Sequence, residues 1–160
     1  MTAPVPNDGR IRVLELRSVR GTGGGPEKTI LLGTARTDAT KFHITVCYIR
    51  DQRDGVFAID AWARSVGVPY VEVSEKNSFD PAVIPALRAL VREKRIDIIH
   101  AHEHKTDLLA LLVARLEGVL ALSTAHGWTG HSFKERRLYY PLDRWLLIRF
   151  PHVIAVSEEI

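Results

Sequence analysis

The chain has 160 residues, 46% of them hydrophobic and 26% charged, values typical of one soluble globular domain. A formal net charge of +3 is too small to indicate nucleic-acid binding, and one cysteine cannot form an intrachain disulfide framework, so we expect a reducing, cytoplasmic setting. The longest uninterrupted apolar run, Leu108 to Ala114, is far shorter than a bilayer span, and the N-terminus contains no signal core.

Short β-rich runs alternate with amphipathic helical stretches after a tail at 1–9, which we expect to be flexible. The predicted strands are 11–16, 43–49, 70–74, 96–101, 120–124 and 152–157. The predicted helices are 26–37, 56–67, 80–95, 105–118 and 133–150, the last interrupted by Pro141. This order, with several strands apolar throughout, predicts an α/β, three-layer Rossmann-like domain over 10–160 with a mostly parallel sheet. Ligands of such sheets bind beyond the carboxyl ends of the strands.

The first predicted strand is followed by "GTGGGPEKT", Gly21 to Thr29, which resembles two phosphate-binding loops and completes neither. Glu27 stands where a P-loop has a glycine before its lysine, and Pro26 stands where a dinucleotide-binding loop has its third glycine. Consecutive glycines permit close approach by a ligand, and Pro26 begins a helix whose free N–H groups would point at that ligand. We therefore predict a loop that a phosphate-bearing ligand can approach closely, with a tight βα turn as the alternative.

The fourth predicted strand ends in "HAHEHKTD", which places His100, His102 and His104 at alternate positions. If the strand continued, the three side chains would share a face. The zinc pattern HExxH fails because Thr106 replaces its second histidine, so we expect no metal here. A polar ligand met by His102, Glu103 or His104 is the functional prediction, and polar capping of a buried strand is the alternative.

The fifth predicted strand ends in "STAHGWTGHSF". His126 would face the same edge as the glycine loop, where it can hydrogen-bond a sugar hydroxyl or a phosphate; a structural role is the alternative. Trp128 would stack on a ring or cover the core. The helix at 133–150 mixes basic and aromatic residues, which indicates either a core-packed helix with a solvated basic face or a surface that touches anionic lipid.

Taken in order, "GTGGGPEK", "IDIIHAHEHKTDLLALLVARL", "STAHGW" and "VIAVSEEI" resemble the N-terminal domain of the family 4 glycosyltransferases, enzymes of the GT-B fold. The likeness covers roughly residues 10–160. It implies two Rossmann-like domains that face each other across a cleft, with the acceptor on this side and a nucleotide-diphosphate sugar held mainly by the other. It also implies retaining transfer, with no metal or other cofactor, to a sugar or lipid acceptor in polysaccharide or glycolipid biosynthesis.

The resemblance also assigns residue roles. It implies a catalytic contact with the transferred sugar for His126, donor-diphosphate binding for Gly23, Gly24 and Gly25, and acceptor binding for Lys28, His102, Glu103 and Trp128. The family's donor-binding domain would follow the final "SEEI", so we expect 1–160 alone to fold but to be inactive.

Two other function classes remain open at this point. A stand-alone flavodoxin-like domain that binds a nucleotide or a partner is the main alternative, although the first strand ends in Leu16-Arg17-Ser18 rather than in an acidic pocket. An NAD-dependent oxidoreductase half is weakened by Pro26. We expect a cytoplasmic protein that binds no nucleic acid, with peripheral contact at the inner face of the membrane through 133–150 as a further expectation.

Overall fold

The computed structural model describes residues 8–125 and 140–156 of the chain. The described residues form six strands: β1 (Ile11–Val19), β2 (Phe42–Asp51), β3 (Tyr70–Glu75), β4 (Ile98–Ala101), β5 (Leu120–Ala125) and β6 (His152–Ala155). Five helices lie between them: α1 (Gly25–Arg36), α2 (Ile59–Val66), α3 (Val83–Lys94), α4 (His104–Glu117) and α5 (Tyr140–Leu147). The predicted alternation of strands and helices is therefore confirmed.

The strands form one sheet in the order β3-β2-β1-β4-β5-β6, and every neighbouring pair is parallel. The chain moves outward from β1 to β3, then crosses back and continues from β4 on the other side of β1. This reversal leaves a crevice outside the carboxyl ends of β1 and β4, where ligands of open parallel sheets bind.

Helices cover both faces of the sheet, as the strands without polar alternation predicted. On one face, Ile30 and Leu31 of α1 and Ile59 of α2 pack against Val46 and Tyr48 of β2. On the other face, a second core joins α3 and α4 to the inward-facing residues of five strands; its strand members include Leu14, Leu16, Cys47, Ile49, Val73, Ile99, Ala101 and Ala121. Alternate residues of β2 therefore belong to different layers.

Several helix boundaries differ from the sequence expectation; α2, for example, spans Ile59–Val66 rather than 56–67. α3 begins at Val83 rather than at Asp80, because the Asp80 carboxylate accepts hydrogen bonds from the N–H groups of Lys76 and Ala82 and holds the preceding residues in a turn. Pro141 is the second residue of α5 as described, Tyr140–Leu147. Residues 133–139 of the predicted helix are outside the described part of the chain.

The described end of the predicted basic–aromatic helix has an exposed apolar side. Trp145 and Ile148 are 49% and 78% exposed, and the Arg149 guanidinium lies over the Trp145 ring, 3.3 Å from its centroid. None of the helices in the described residues has the length and apolar character needed to cross a membrane.

Candidate functional site at the carboxyl edge of the sheet

The structure brings two of the predicted site segments together at the crevice between β1 and β4. The glycine loop follows β1 directly, and His102 and Glu103 follow β4 directly. Three polar contacts, described below, link the end of β1 to both segments. His126 and Trp128, which the sequence also assigned to this edge, lie outside the described residues.

Two of the loop glycines have a backbone conformation that other residues rarely adopt: φ is +67° at Gly21 and +73° at Gly23. A Cβ atom at Gly23 would also lie 2.5 Å from Ile59 Cδ1 and 2.8 Å from Glu27 Cγ. The Gly21 N–H donates to Asp54 Oδ2 at 2.5 Å. The loop is therefore held against α2 by packing and against the β2–α2 connection by a hydrogen bond.

Glu27 occupies the amino end of α1. Its side chain is buried, and Oε2 accepts a hydrogen bond of 2.5 Å from the Gly24 N–H. Burial alone would raise the pKa of Glu27, but the hydrogen bond and charge of Arg17 outweigh burial and lower the pKa below its ordinary value. The carboxylate is therefore ionised at neutral pH and stabilises the helix terminus.

This arrangement limits which N–H groups can meet a phosphate. The Gly24 N–H is used by Glu27, whereas the N–H groups of Gly23 and Gly25 have no hydrogen-bond partner among residues 8–125 and 140–156. Lys28 is exposed in the same first turn of α1. Gly23, Gly25 and Lys28 thus offer the donors that the described part of this loop can present to an anion.

The last residues of β1 connect the glycine loop to the end of β4. Arg17 donates from Nε to Glu27 Oε1 at 2.5 Å and from Nη1 to the His102 carbonyl oxygen at 2.9 Å. Ser18 donates to Glu103 Oε1 at 2.7 Å. The two loops are therefore joined through side chains of one strand, although the sequence separates them by more than 70 positions.

A second cluster lies deeper in the same crevice and was missed by sequence reasoning. Glu15 Oε2 lies 2.9 Å from His100 Nδ1 and 2.5 Å from His102 Nε2, and the two imidazole centroids are 4.3 Å apart. His100 Nε2 in turn lies 2.7 Å from Thr124 Oγ1 of β5. An ionisable residue in the apolar strand "IRVLEL" was a signal, but its partners are 85 or more residues away.

The electrostatics of this cluster follow from its burial. The His102 side chain is 6% exposed, and burial lowers the pKa of His102 below its ordinary value, although the hydrogen bond to Glu15 acts in the opposite direction. Burial alone would raise the pKa of Glu15, but hydrogen bonds from His100 and His102 outweigh burial and hold the pKa well below its ordinary value. An ionised carboxylate therefore accepts N–H donors from both imidazoles.

His104 does not join the other two histidines. The strand ends at Ala101, and His104 is the first residue of α4, where it is exposed. The donor atoms of Glu15, His100 and His102 lie within 4.8 Å of one another, a set that could hold a metal ion. The sequence pattern did not indicate this set, since one of its members comes from another strand.

A further cluster of charged residues lies at the carboxyl end of β2. Arg20 and Arg53 both form ion pairs with the buried carboxylate of Asp51, at 3.6 Å and 2.7 Å. Both arginine side chains are largely exposed beside Asp51, the last residue of β2, which is the neighbour of β1 on the side away from β4.

A family model and a curated relative both indicate glycosyltransferases. The family model described as Glycosyltransferase Family 4 matches residues 23–160. The Bacillus subtilis protein EpsD, which is named as a glycosyltransferase, is 33% identical over 106 residues, covering 58% of this chain and 28% of EpsD.

Solved structures share the fold at low sequence identity. Anabaena HepE in complex with UDP-glucose superposes with a TM-score of 0.68 at 17% identity, over 93% of this chain and 38% of HepE. A UDP-GlcNAc 2-epimerase from Neisseria meningitidis bound to UDP-GlcNAc gives 0.65 at 14% identity, over 93% of this chain and 41% of the epimerase. This chain therefore spans well under half the length of these proteins.

Proposed function

The chain belongs to Glycosyltransferase Family 4, and we propose on that premise that it is the acceptor-side domain of an enzyme that transfers a sugar from a nucleotide-diphosphate sugar. The observation that carries this proposal is the meeting of the glycine loop with His102 and Glu103 at the crevice between β1 and β4. HepE in complex with UDP-glucose supports a nucleotide sugar as the donor. Because the chain covers 28% of EpsD, the donor-binding domain would lie in the remainder of such an enzyme.

The proposed reaction forms a bond between an acceptor hydroxyl oxygen and the anomeric carbon of the donor sugar. The bond from that carbon to the diphosphate oxygen breaks, and the hydroxyl proton passes to the leaving diphosphate. Negative charge grows on the diphosphate in the transition state, so fixed N–H donors and cations near it accelerate the reaction. Retention of the anomeric configuration and independence of metal ions are part of the proposal.

Residue roles follow from position. Gly23 and Gly25 would offer N–H groups to the diphosphate, and Gly24 would shape the loop while its own N–H binds Glu27. Lys28, exposed in the first turn of α1, and Glu103, directly after β4, would meet the acceptor together with the adjacent, buried His102. His126 would contact the transferred sugar and Trp128 would flank the acceptor.

The decisive experiment measures sugar transfer by this domain joined to its donor-binding domain. Release of nucleoside diphosphate from a panel of nucleotide sugars should require an acceptor, persist in EDTA and give a product with the donor's anomeric configuration. His126→Ala should lower kcat strongly, whereas His43→Ala should not, because His43 lies near the amino end of β2, away from the predicted site. Residues 1–160 alone should give no transfer. Absence of transfer to any glycan or lipid acceptor, with measurable binding of NAD or a free nucleotide to 1–160, would instead favour a stand-alone binding domain.

Peripheral membrane contact through 133–150 is a separate part of the proposal. It is supported by the exposed Trp145 and Ile148 beside Arg144 and Arg149. The chain should sediment with vesicles containing anionic lipid but not with neutral vesicles. Ile148→Ser should weaken that sedimentation, and Val56→Ser, an equally apolar change at an exposed site in the β2–α2 connection, should not.

A further inference from the structure

Glu15 is placed where strand pairing brings both halves of the sheet together. It lies in β1, and its direct register partner in β4 is His100. His102 follows two positions later on the same face, so one carboxylate reaches both imidazoles. An acidic residue at this depth is costly unless its charge is hydrogen-bonded, and both histidines supply such bonds.

The hydrogen bonds define the protonation of each ring. Because ionised Glu15 is an acceptor, His100 donates from Nδ1 and His102 donates from Nε2. In a neutral His100 ring, Nε2 then accepts a hydrogen bond from the Thr124 hydroxyl, whose oxygen lies 2.7 Å away. In the neutral form of both rings, one carboxylate therefore selects opposite tautomers, Nδ1–H in His100 and Nε2–H in His102.

His102 is held at two points by one strand. Glu15 binds its ring, and Arg17, two residues further along β1, binds its carbonyl oxygen at 2.9 Å. The next residue, Glu103, is bound by Ser18. Because Arg17 also binds Glu27 at the start of α1, the position of His102 is tied to that of the glycine loop.

We propose that Glu15 is a positioning residue: through His102, and through His100 to Thr124, it fixes the carboxyl ends of β4 and β5 relative to the glycine loop. In this assignment the largely buried His102 ring supports the acceptor-binding surface, and more exposed groups such as Glu103 contact the acceptor. The inference rests on the proposed function for its consequence in catalysis but not for its geometry.

A metal ion is the competing explanation of the same three side chains. Two histidines and a glutamate form a common zinc donor set. However, Glu15 Oε2 lies between the two nitrogens at hydrogen-bond distance, so the described arrangement satisfies all three groups without an ion. Titration with Zn²⁺ therefore belongs in the test.

The first measurement uses chain 1–160 labelled with ¹⁵N in its histidine rings. Two of the seven histidines should show slowly exchanging ring N–H signals, one on Nδ1 and one on Nε2, in buffer containing EDTA. The variant H100Q should remove the Nδ1–H signal and H102Q the Nε2–H signal. Wild-type spectra in which both rings exchange freely between tautomers, or stoichiometric Zn²⁺ binding that shifts both rings, would overturn the proposal, with no variant required to fold.

The second measurement separates positioning from simple stabilisation. Glu15→Gln should lose both fixed N–H signals, because the neutral amide cannot accept two charge-assisted bonds. Glu75→Gln, which removes a buried carboxylate paired with Lys105, should leave them unchanged. Glu15→Asp, which keeps a carboxylate at this position, should retain at least one of the two N–H signals.

The third measurement is kinetic and uses the domain joined to its donor-binding domain. Glu15→Gln should lower kcat roughly 10- to 100-fold, with KM for the donor changed less than about twofold, as misplacement of a site by a fraction of an ångström predicts. An unchanged kcat would sink the positioning role. If the wild-type enzyme transfers no sugar, the proposed function fails, whereas the ring spectra still decide the role of Glu15.

Discussion

The Gly24 N–H donates to the carboxylate of Glu27 three residues later, at 2.5 Å, and this bond closes the amino end of α1 from within. The same carboxylate binds Arg17. The glycine loop therefore cannot offer all of its N–H groups to a ligand. One of its donors is already satisfied by a buried, ionised side chain that also connects the loop to the end of β4 through Arg17.

Replacing Glu27 with glutamine should destabilise the chain by about 1–3 kcal/mol at pH 7, because a charge-assisted bond to Arg17 and the helix-terminus charge are lost. The folded-state pKa of Glu27 is lowered, so its contribution is present above the unfolded pKa of about 4.3 and is lost as pH falls through the folded pKa. Urea unfolding at pH 7 and pH 3.5 measures this.

The exposed Glu93→Gln is the matched control for this charge change, with an expected effect under about 0.5 kcal/mol. If the difference between wild type and Glu27→Gln were as large at pH 3.5 as at pH 7, the carboxylate charge would not be its cause.

Alanine at Gly23 should cost about 1–3 kcal/mol of unfolding free energy. Its φ of +73° disfavours any side chain, and a Cβ would lie 2.5 Å from Ile59 Cδ1. Gly25→Ala is the internal comparison, since its φ is not positive and nothing lies within 4 Å of a Cβ there. Chemical denaturation of both variants tests this; equal costs at the two positions would refute the steric argument.

The ring of His102 should titrate below the ordinary histidine pKa of about 6.5, because burial disfavours its charged form. Between the folded and unfolded pKa values the unfolded chain binds more protons, so the free energy of unfolding decreases as pH falls below about 6.5. The Cε1–H resonance, assigned with His102→Gln, gives the pKa directly. A midpoint at or above 6.5 would show that the Glu15 hydrogen bond outweighs burial.

The thiol of Cys47 should be unreactive in the folded chain. It is fully buried in the core on the α3–α4 side, and burial raises its pKa to about 12, so almost no thiolate exists at pH 8. Reaction with a disulfide reagent should therefore follow global unfolding and accelerate sharply across the urea transition. Fast labelling in native buffer would show that this part of the core opens locally.

Local pattern was sufficient for the elements and their alternation. The six strands could be predicted because their signals, apolar β-branched runs bounded by turn residues, lie within about ten consecutive positions. Parallel pairing follows from the helices between the strands. The start of α3 was misplaced because Asp80-Pro81 suits a turn as well as a helix terminus, and the choice depends on the Lys76 N–H.

Contacts between β1 and β4, where the strand order reverses, could not be predicted from local pattern. Glu15 meets His100 because β4 lies beside β1, and that neighbour relation is a property of strand order rather than of any local run. Glu27 was predicted as a good first-turn residue, but its bond to Arg17 depends on the face that Arg17 takes in β1. The sequence predicted which edge of the sheet carries the candidate site. It did not predict the side-chain contacts that connect the glycine loop to the end of β4.

The strand order also has a kinetic consequence. β3, β2 and β1 come from one continuous stretch of the chain and β4, β5 and β6 from another, so the two halves meet along a single seam whose contacts, such as Arg12 with Asp97, join residues 85 positions apart. Closing so long a loop is entropically costly and slow compared with forming either half. Docking of the halves is therefore expected to limit the refolding rate, and the crevice that holds Glu15 and the glycine loop comes into being in that last step.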